Sequence, residues 1–197
     1  MKGFTLIETM VAITILALSI AGPLYAASRA IIAAQVARDQ LVASYLAQEG
    51  IEYVRAMRDN EYLAAYDAGG ANVSDMAWSN FVSGTNPQNP GSIAECIAET
   101  CTLDPANPMG LQMGSINGNS GSIRPCGGST GSACPPLYLS NNNIYTQQNL
   151  GTKTPFTRTI QAVTISASDE RIISTVSWNF HNISYTVTVT DHLLPWQ

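Results

Sequence analysis

Lys2-Gly3-Phe4-Thr5-Leu6-Ile7-Glu8 opens the chain and leads into Thr9-Met10-Val11-Ala12-Ile13-Thr14-Ile15-Leu16-Ala17-Leu18, part of an apolar stretch that lasts to Ser28. Glu8 is the one acid in that stretch. A carboxylate in hydrocarbon costs about 2.5–3.5 kcal/mol at a helix centre and less near an end, so Glu8 needs a partner. The nearest source of a cation is the amine that a cut after Gly3 would leave on Phe4. As a helix, residues 4–28 reach roughly 37 Å at about 1.5 Å per residue, enough to cross about 30 Å of hydrocarbon with some tilt. Lys2 ahead of the run fits a cytoplasmic N-terminus.

Two plainer readings compete. A secretory signal peptide has an apolar core of about 7–15 residues followed by small residues, and Ala26-Ala27-Ser28 offers such a cut site. A simple membrane anchor is the other. Neither gives Glu8 a purpose. Gly22-Pro23 interrupts the run, and because proline lacks the N–H donor and crowds the preceding turn, a kink or a local loss of helix is expected there.

The opening heptapeptide resembles the cleavage and methylation signal of type IV prepilins. The resemblance implies that a prepilin peptidase cuts after Gly3 and methylates the new N-terminal Phe4. It makes Glu8 the residue that pairs subunits within a filament. In assembled pili of this family a region comparable to Gly22-Pro23 melts, although Pro23 falls slightly earlier than the usual proline of major pilins.

From Arg29 to Asn60 the helix becomes amphipathic. Val42, Leu46, Tyr53, Val54 and Met57 recur at spacings near three, four and seven and share one face. Arg38, Asp39, Gln48, Glu52, Arg55 and Arg58 line much of the rest, and Arg55 and Arg58 in the last turns suit the negative end of the helix dipole. Unbroken, the rod is about 80 Å long.

Residues 67–150 are rich in Gly, Asn, Ser and Pro and poor in charge. Asn86-Pro87, Asn89-Pro90, Asn107-Pro108 and Gly127-Gly128 are turn signals, so this stretch reads as long loops and as the variable surface that meets partners. Loops of that length in a compact domain are functional or crosslinked. Four cysteines, Cys96, Cys101, Cys126 and Cys134, lie here. An even count in an exported chain suggests two disulfides, with three connectivities open. Pairing of neighbours, Cys96 with Cys101 and Cys126 with Cys134, is preferred because each closes a short loop. The spacings lack paired C-x2-C knuckles and a nearby histidine, which disfavours zinc.

The C-terminal part alternates. Residues 156–167 are rich in Thr, Val and Ile. Ile172, Val176, Trp178 and Phe180 alternate with Ile173, Thr175, Ser177 and Asn179. Tyr185, Val187, Val189 and Leu193 alternate with Thr186, Thr188 and Thr190. One apolar and one hydroxyl face is the period-two pattern of a half-buried antiparallel sheet. Turns are expected at Ser168-Asp169-Glu170 and His181-Asn182, and a fourth strand near 137–145. The apolar sheet face should cover the apolar stripe of the helix. Val176-Ser177-Trp178, the following Thr/Val strand and Pro195-Trp196 look like the ends of PilV-like minor pilins and the related type II secretion pseudopilins. Family disulfides often bracket these strands, whereas here all four cysteines precede them.

Catalytic patterns are thin. Gly127-Gly128-Ser129-Thr130-Gly131 spells G-x-S-x-G, but in a Gly/Ser run followed by Pro135-Pro136 it lacks the strand and helix that the nucleophile elbow needs. His181 falls in a turn and His192 on the Thr face. Asp169, Glu170 and Asp191 are the candidates for a C-terminal calcium site. The chain's formal net charge is -5, with Lys2 and Lys153 its only lysines, and it offers no basic stripe for nucleic acid.

The expected fold is α+β, the pilin lollipop: leader 1–3, membrane and filament-core helix 4–28, amphipathic helix 29–60, variable disulfide-linked region 61–155 and antiparallel sheet 156–197. The expected role is a structural, minor subunit of a type IV pilus-like filament, not an enzyme, with no cofactor. Its partners would be prepilin peptidase, other pilin subunits, the membrane assembly platform and a surface ligand for the loops. The precursor would sit in the cytoplasmic membrane with its head outside the cytoplasm, then in an extracellular pilus or a periplasmic pseudopilus. A type II secretion pseudopilin, a major pilin and a pilus-associated adhesin are the alternatives.

Overall fold

The computed structural model describes residues 5–84, 92–105, 123–127, 133–149 and 151–195. It divides the chain into two compact units, Met1–Leu41 and Val42–Gln197. Helix α1, Leu6–Asp67, begins in the first and ends in the second.

In the first unit α1 is exposed except at Val36 and Asp39, which are half-buried. It passes Gly22 and Pro23 as uninterrupted helix, so the local loss of helix that proline permits is not part of this structure.

In the second unit α1 has a dry face. Ala43, Leu46, Ala47, Gly50, Ile51, Val54, Met57, Glu61 and Ala65 are buried; they recur every three or four residues and so form one stripe. Tyr53 and Val42 pack at its margin. The helix runs seven residues beyond the expected end at Asn60, which removes Arg55 and Arg58 from its last turn; no basic residue lies there. Arg55 instead pairs with Glu52 and Asp191, and Arg58 with Asp59.

The stripe packs on a five-stranded antiparallel sheet. Its strands are β1 (Cys101–Leu103), β2 (Ile123–Pro125), β6 (Thr157–Ser166), β7 (Asp169–Phe180) and β8 (Ile183–Leu193), in the order β2-β1-β6-β7-β8. The alternation expected for the last three strands is present: Ile160, Ala162, Ile172, Val176, Trp178 and Leu193 are buried, and Thr186, Thr188 and Thr190 are exposed. β7 and β8 pair from Glu170↔Leu193 to Phe180↔Ile183. Their turn is His181-Asn182, with φ of 49° and 63°, the positive φ at both central residues that a type I′ hairpin requires.

The reading of 61–155 as loops needs correction. Helix α2 occupies Val73–Ser83 and buries Ala77, Trp78 and Phe81, while the short α3 spans Ala94–Ala98. The expected fourth strand near 137–145 is two strands, β3 (Tyr138–Ser140) and β4 (Tyr145–Thr146). With β5 (Gly151–Lys153) they form a separate three-stranded sheet, β4-β3-β5. The fourth and fifth strands of the main sheet come from the cysteine segments. Turn signals at 86–90 and 107–108, and Trp196, lie outside the described residues.

Cys96 bonds to Cys101 and Cys126 to Cys134, with Cα–Cα distances of 5.3 Å and 4.9 Å. Each closes a short loop, and together they brace one corner: Cys101 lies opposite Pro125, the Cys126 N–H donates to Thr100 O at 2.7 Å, and Cys101 also faces Ile160 of β6. The core beneath joins Ile51, Val54 and Met57 of α1 to Trp78, Phe81, Cys96, Ile160 and Ile172. A second cluster gathers Ala43, Leu46 and Ala47 with Phe156, Val176 and Trp178.

Candidate functional site

The N-terminal half of α1 is the part of the chain whose chemistry its own fold does not use. Leu6, Ile13, Leu18 and Leu24 are 78 %, 65 %, 75 % and 67 % exposed. By length and composition this helix can cross a membrane, and the span that qualifies is wholly unburied. Four of its hydroxyls are satisfied within the helix. The hydroxyls of Thr9, Thr14 and Ser19 each donate at 2.8 Å to the carbonyl three residues back, and that of Ser28 donates to Leu24 O at 3.0 Å. With no water to solvate them, hydroxyls in hydrocarbon need such partners.

Glu8 stands in the first turn of α1, its N–H donating to Thr5 O at 3.1 Å. A carboxylate there is favoured by the positive end of the helix dipole, a contribution that the pairing argument alone omits. Gly3 and Phe4 lie outside the described residues. At the far end of the apolar run, Arg29 Nε donates to Tyr25 Oη at 3.1 Å, and its guanidinium carbon lies 5.3 Å from the Tyr25 ring centroid. No sequence argument singled out this pair, although an i, i+4 aromatic–cation spacing at the edge of an apolar run is a readable signal.

In the second unit the unexpected residue is Arg158 on β6. It is fully buried, and its guanidinium donates to Leu46 O at 3.1 Å, to Leu103 O at 2.8 Å and to the Glu49 carboxylate. Burial pulls its pKa below the ordinary arginine value, and Glu49 and Asp104 oppose that. One side chain thus ties α1 to β6 and to β1. Arg55 does similar work nearer the surface, donating to Asp191 at 3.0 Å.

The remaining candidates do not converge. Asp169 pairs with His192 on the hydroxyl face of the sheet at 2.9 Å, Asp191 turns to Arg55 on the other face, and Glu170 is buried. The three acids expected near the C terminus therefore point to different places, and among the described residues no group of His, Cys, Asp and Glu could hold a metal ion. His181 sits in the β7–β8 turn. Of the G-x-S-x-G string, only Gly127 is described.

Residues 1–22 match the family model of the prokaryotic N-terminal methylation motif, the signature shared by type IV prepilins and pseudopilins. No curated protein and no solved structure matches the chain. This signature supports a type IV pilin- or pseudopilin-like protein. The signature implies processing by prepilin peptidase and assembly with other pilins, and with the exposed apolar helix it fits a precursor anchored in the inner membrane.

Proposed function

We propose that the chain is a prepilin that matures into a minor, structural subunit of a type IV pilus-like filament. The peptidase cuts after Gly3, and the Phe4 amine it frees is methylated. That amine pairs with Glu8 in an apolar surround, where an unpaired carboxylate is penalised. The observation that carries the reading is the methylation motif at residues 1–22, carried on a helix whose first half leaves Leu6, Ile13, Leu18 and Leu24 without internal cover. The Val176-Ser177-Trp178 strand and Trp196 favour the minor subunit over the major one.

N-terminal mass spectrometry on protein from cells with and without prepilin peptidase tests this. The expected mature chain begins at Phe4 with one added methyl group, only where the peptidase is present. A chain that keeps Met1, or begins near Ser28, refutes the proposal. Glu8→Ala should insert into the membrane as wild type does yet be lost from sheared filaments. Because pseudopilins share the signature, a pseudopilus subunit is the second reading; its deletion would stop protein export and leave surface fibres intact.

A further inference from the structure

The apolar half of α1 ends at a pair of side chains that the assembly reading leaves without a task. We infer that Tyr25 and Arg29 form a lipid-headgroup anchor, in which Arg29 binds the phosphate of a phospholipid in the leaflet on the head side. The inference rests on the reading of residues 4–28 as the membrane-crossing segment of the precursor.

Depth along the helix supports it. From Leu6 to Tyr25 the rise is about 29 Å at about 1.5 Å per residue, close to the hydrocarbon thickness of about 30 Å. Leu6 at one boundary therefore puts the Tyr25 ring at the other, where tyrosines collect. Arg29 lies about 6 Å further along the axis, inside a headgroup layer about 5–8 Å deep on each side. Helical side chains lean toward the N-terminus, so its guanidinium reaches back over the preceding turn. The structure shows that direction: Nε donates to Tyr25 Oη and the guanidinium carbon lies over the ring, 5.3 Å from its centroid. Tyr25 thus holds one edge of the guanidinium, and the N–H groups of the other edge have no partner among the described residues. A planar fork of donors held this way suits a phosphate's oxygens. Arg38, the next cation, stands about 20 Å beyond Tyr25 and above the headgroups.

The anchor has a consequence at the other end. With Tyr25 pinned at the far boundary, Glu8 lies about 26 Å away along the axis, within about 4 Å of the opposite boundary. There the lone acid stays near water in the precursor, and the cleavage sequence before it is presented at the membrane face. The anchor must be released when the subunit leaves the bilayer.

The test uses the full-length chain with carbon-labelled arginine Cζ, in vesicles of phosphatidylethanolamine and phosphatidylglycerol and in phosphate-free buffer. Solid-state NMR then reads dephasing of Cζ by lipid phosphorus. The chain has seven arginines, so about one seventh of the signal should dephase. That fraction should vanish in Arg29→Gln, fall in Tyr25→Leu and persist in Arg38→Gln. Dephasing that survives in Arg29→Gln, or is missing from wild-type protein that floats with the vesicles, overturns the anchor. Wild-type protein that does not float with the vesicles overturns instead the membrane reading beneath it.

Discussion

Replacing Arg158 by methionine keeps most of the buried stem and removes the charged fork. Arg158 is fully buried and donates to two carbonyls, Leu46 O in α1 and Leu103 O in β1. Hydrogen bonds from a charged donor contribute about 1.5–3 kcal/mol each. Two of them set a ceiling of about 3–6 kcal/mol. Two effects lower it. The methionine no longer carries the desolvation cost that depresses the arginine's pKa, and Leu46 O sits inside a helix where it also accepts the N–H four residues on. The expected loss is about 2–4 kcal/mol, toward the upper end of what single substitutions cost. The ion pair with Glu49 adds little, because the Glu49 side chain is 42 % exposed and a solvated carboxylate is screened. Glu49→Gln should therefore cost under about 1 kcal/mol. Arg158→Lys should fall between the two, since a point charge on a flexible stem cannot serve carbonyls on two elements at once.

Urea unfolding of the purified protein in mild detergent, followed by the fluorescence of Trp78 and Trp178, measures all three. In a scanning experiment the Arg158→Met loss corresponds to a melting temperature lower by roughly 4–16 °C, at about 2–4 °C per kcal/mol for a chain this long. If Glu49→Gln destabilises as much as Arg158→Met, the ion pair and not the carbonyl bridge joins helix to sheet. If Arg158→Met unfolds at the wild-type urea concentration, the bridge carries no net stability and the account of this site is wrong.

Other perturbations follow from the same packing. A Cβ on Gly50 would lie 2.6 Å from Ser174 Oγ and 3.0 Å from Ile160 Cδ1, so Gly50→Val should destabilise by about 1–3 kcal/mol through overpacking, read as a lower urea midpoint; an unchanged midpoint would mean that α1 can lift off the sheet at no cost. The double variant Cys96→Ser, Cys101→Ser opens a loop with a sequence separation of 5 and should lose about 2 kcal/mol by loop entropy alone, more if the buried sulfurs are badly replaced; unfolding under reducing agent checks it. His181→Asn with Asn182→Gly puts turn-preferring residues at two positive-φ sites and should raise stability by about 0.5–1 kcal/mol, whereas a drop would show that the His181 ring, 4.2 Å from Phe180, contributes more than the backbone strain costs.

Legibility varied with the kind of signal. The strands β6, β7 and β8 could be read because alternation survives one-sided burial: Ile172, Val176 and Trp178 face in, Thr175 and Ser177 out. The turn at His181-Asn182 could be read because asparagine tolerates positive φ. The helix α2 was missed although Val73, Ala77, Trp78 and Phe81 have helical spacing and Gly84 closes it with φ 64°; the surrounding Gly, Asn and Pro outweighed eleven residues of pattern. β1 and β2 were missed because three-residue strands have no period to detect, and only the sheet partner and the disulfides define them. Arg158 was invisible for another reason. An arginine in a strand of Thr and Ile reads as an exposed charge, since burial of a guanidinium depends on carbonyls that arrive from α1 and β1, more than fifty residues away in sequence. The acid at Glu8 was legible because a charge in an apolar run is improbable without a use, whereas Tyr25 and Arg29 look ordinary until their side chains are seen together.

The two halves of α1 solve opposite solvation problems with nearly the same residue types. After Val42 the helix places Leu46, Ile51, Val54 and Met57 against the sheet, each at most 4 % exposed. Before Leu41, Leu6, Ile13, Leu18 and Leu24 have no such cover, and a soluble single chain rarely leaves so many contiguous apolar side chains in water. The hydroxyl-to-carbonyl bonds of Thr9, Thr14, Ser19 and Ser28 suit a surround that offers no water. Lipid would provide that surround for a membrane-anchored precursor, and neighbouring helices would provide it in a filament. Transfer from one to the other changes apolar cover for apolar cover, so the hydrophobic effect contributes little to the preference between them. What can differ is the charged group. Glu8 near a membrane face would keep water, whereas Glu8 drawn into a helix bundle would need a cation, and the amine that the proposed cut would free on Phe4 is four residues away in sequence. In the proposed maturation, cleavage after Gly3 would do more than trim a leader: it would supply the charge without which entry of Glu8 into an apolar core is penalised.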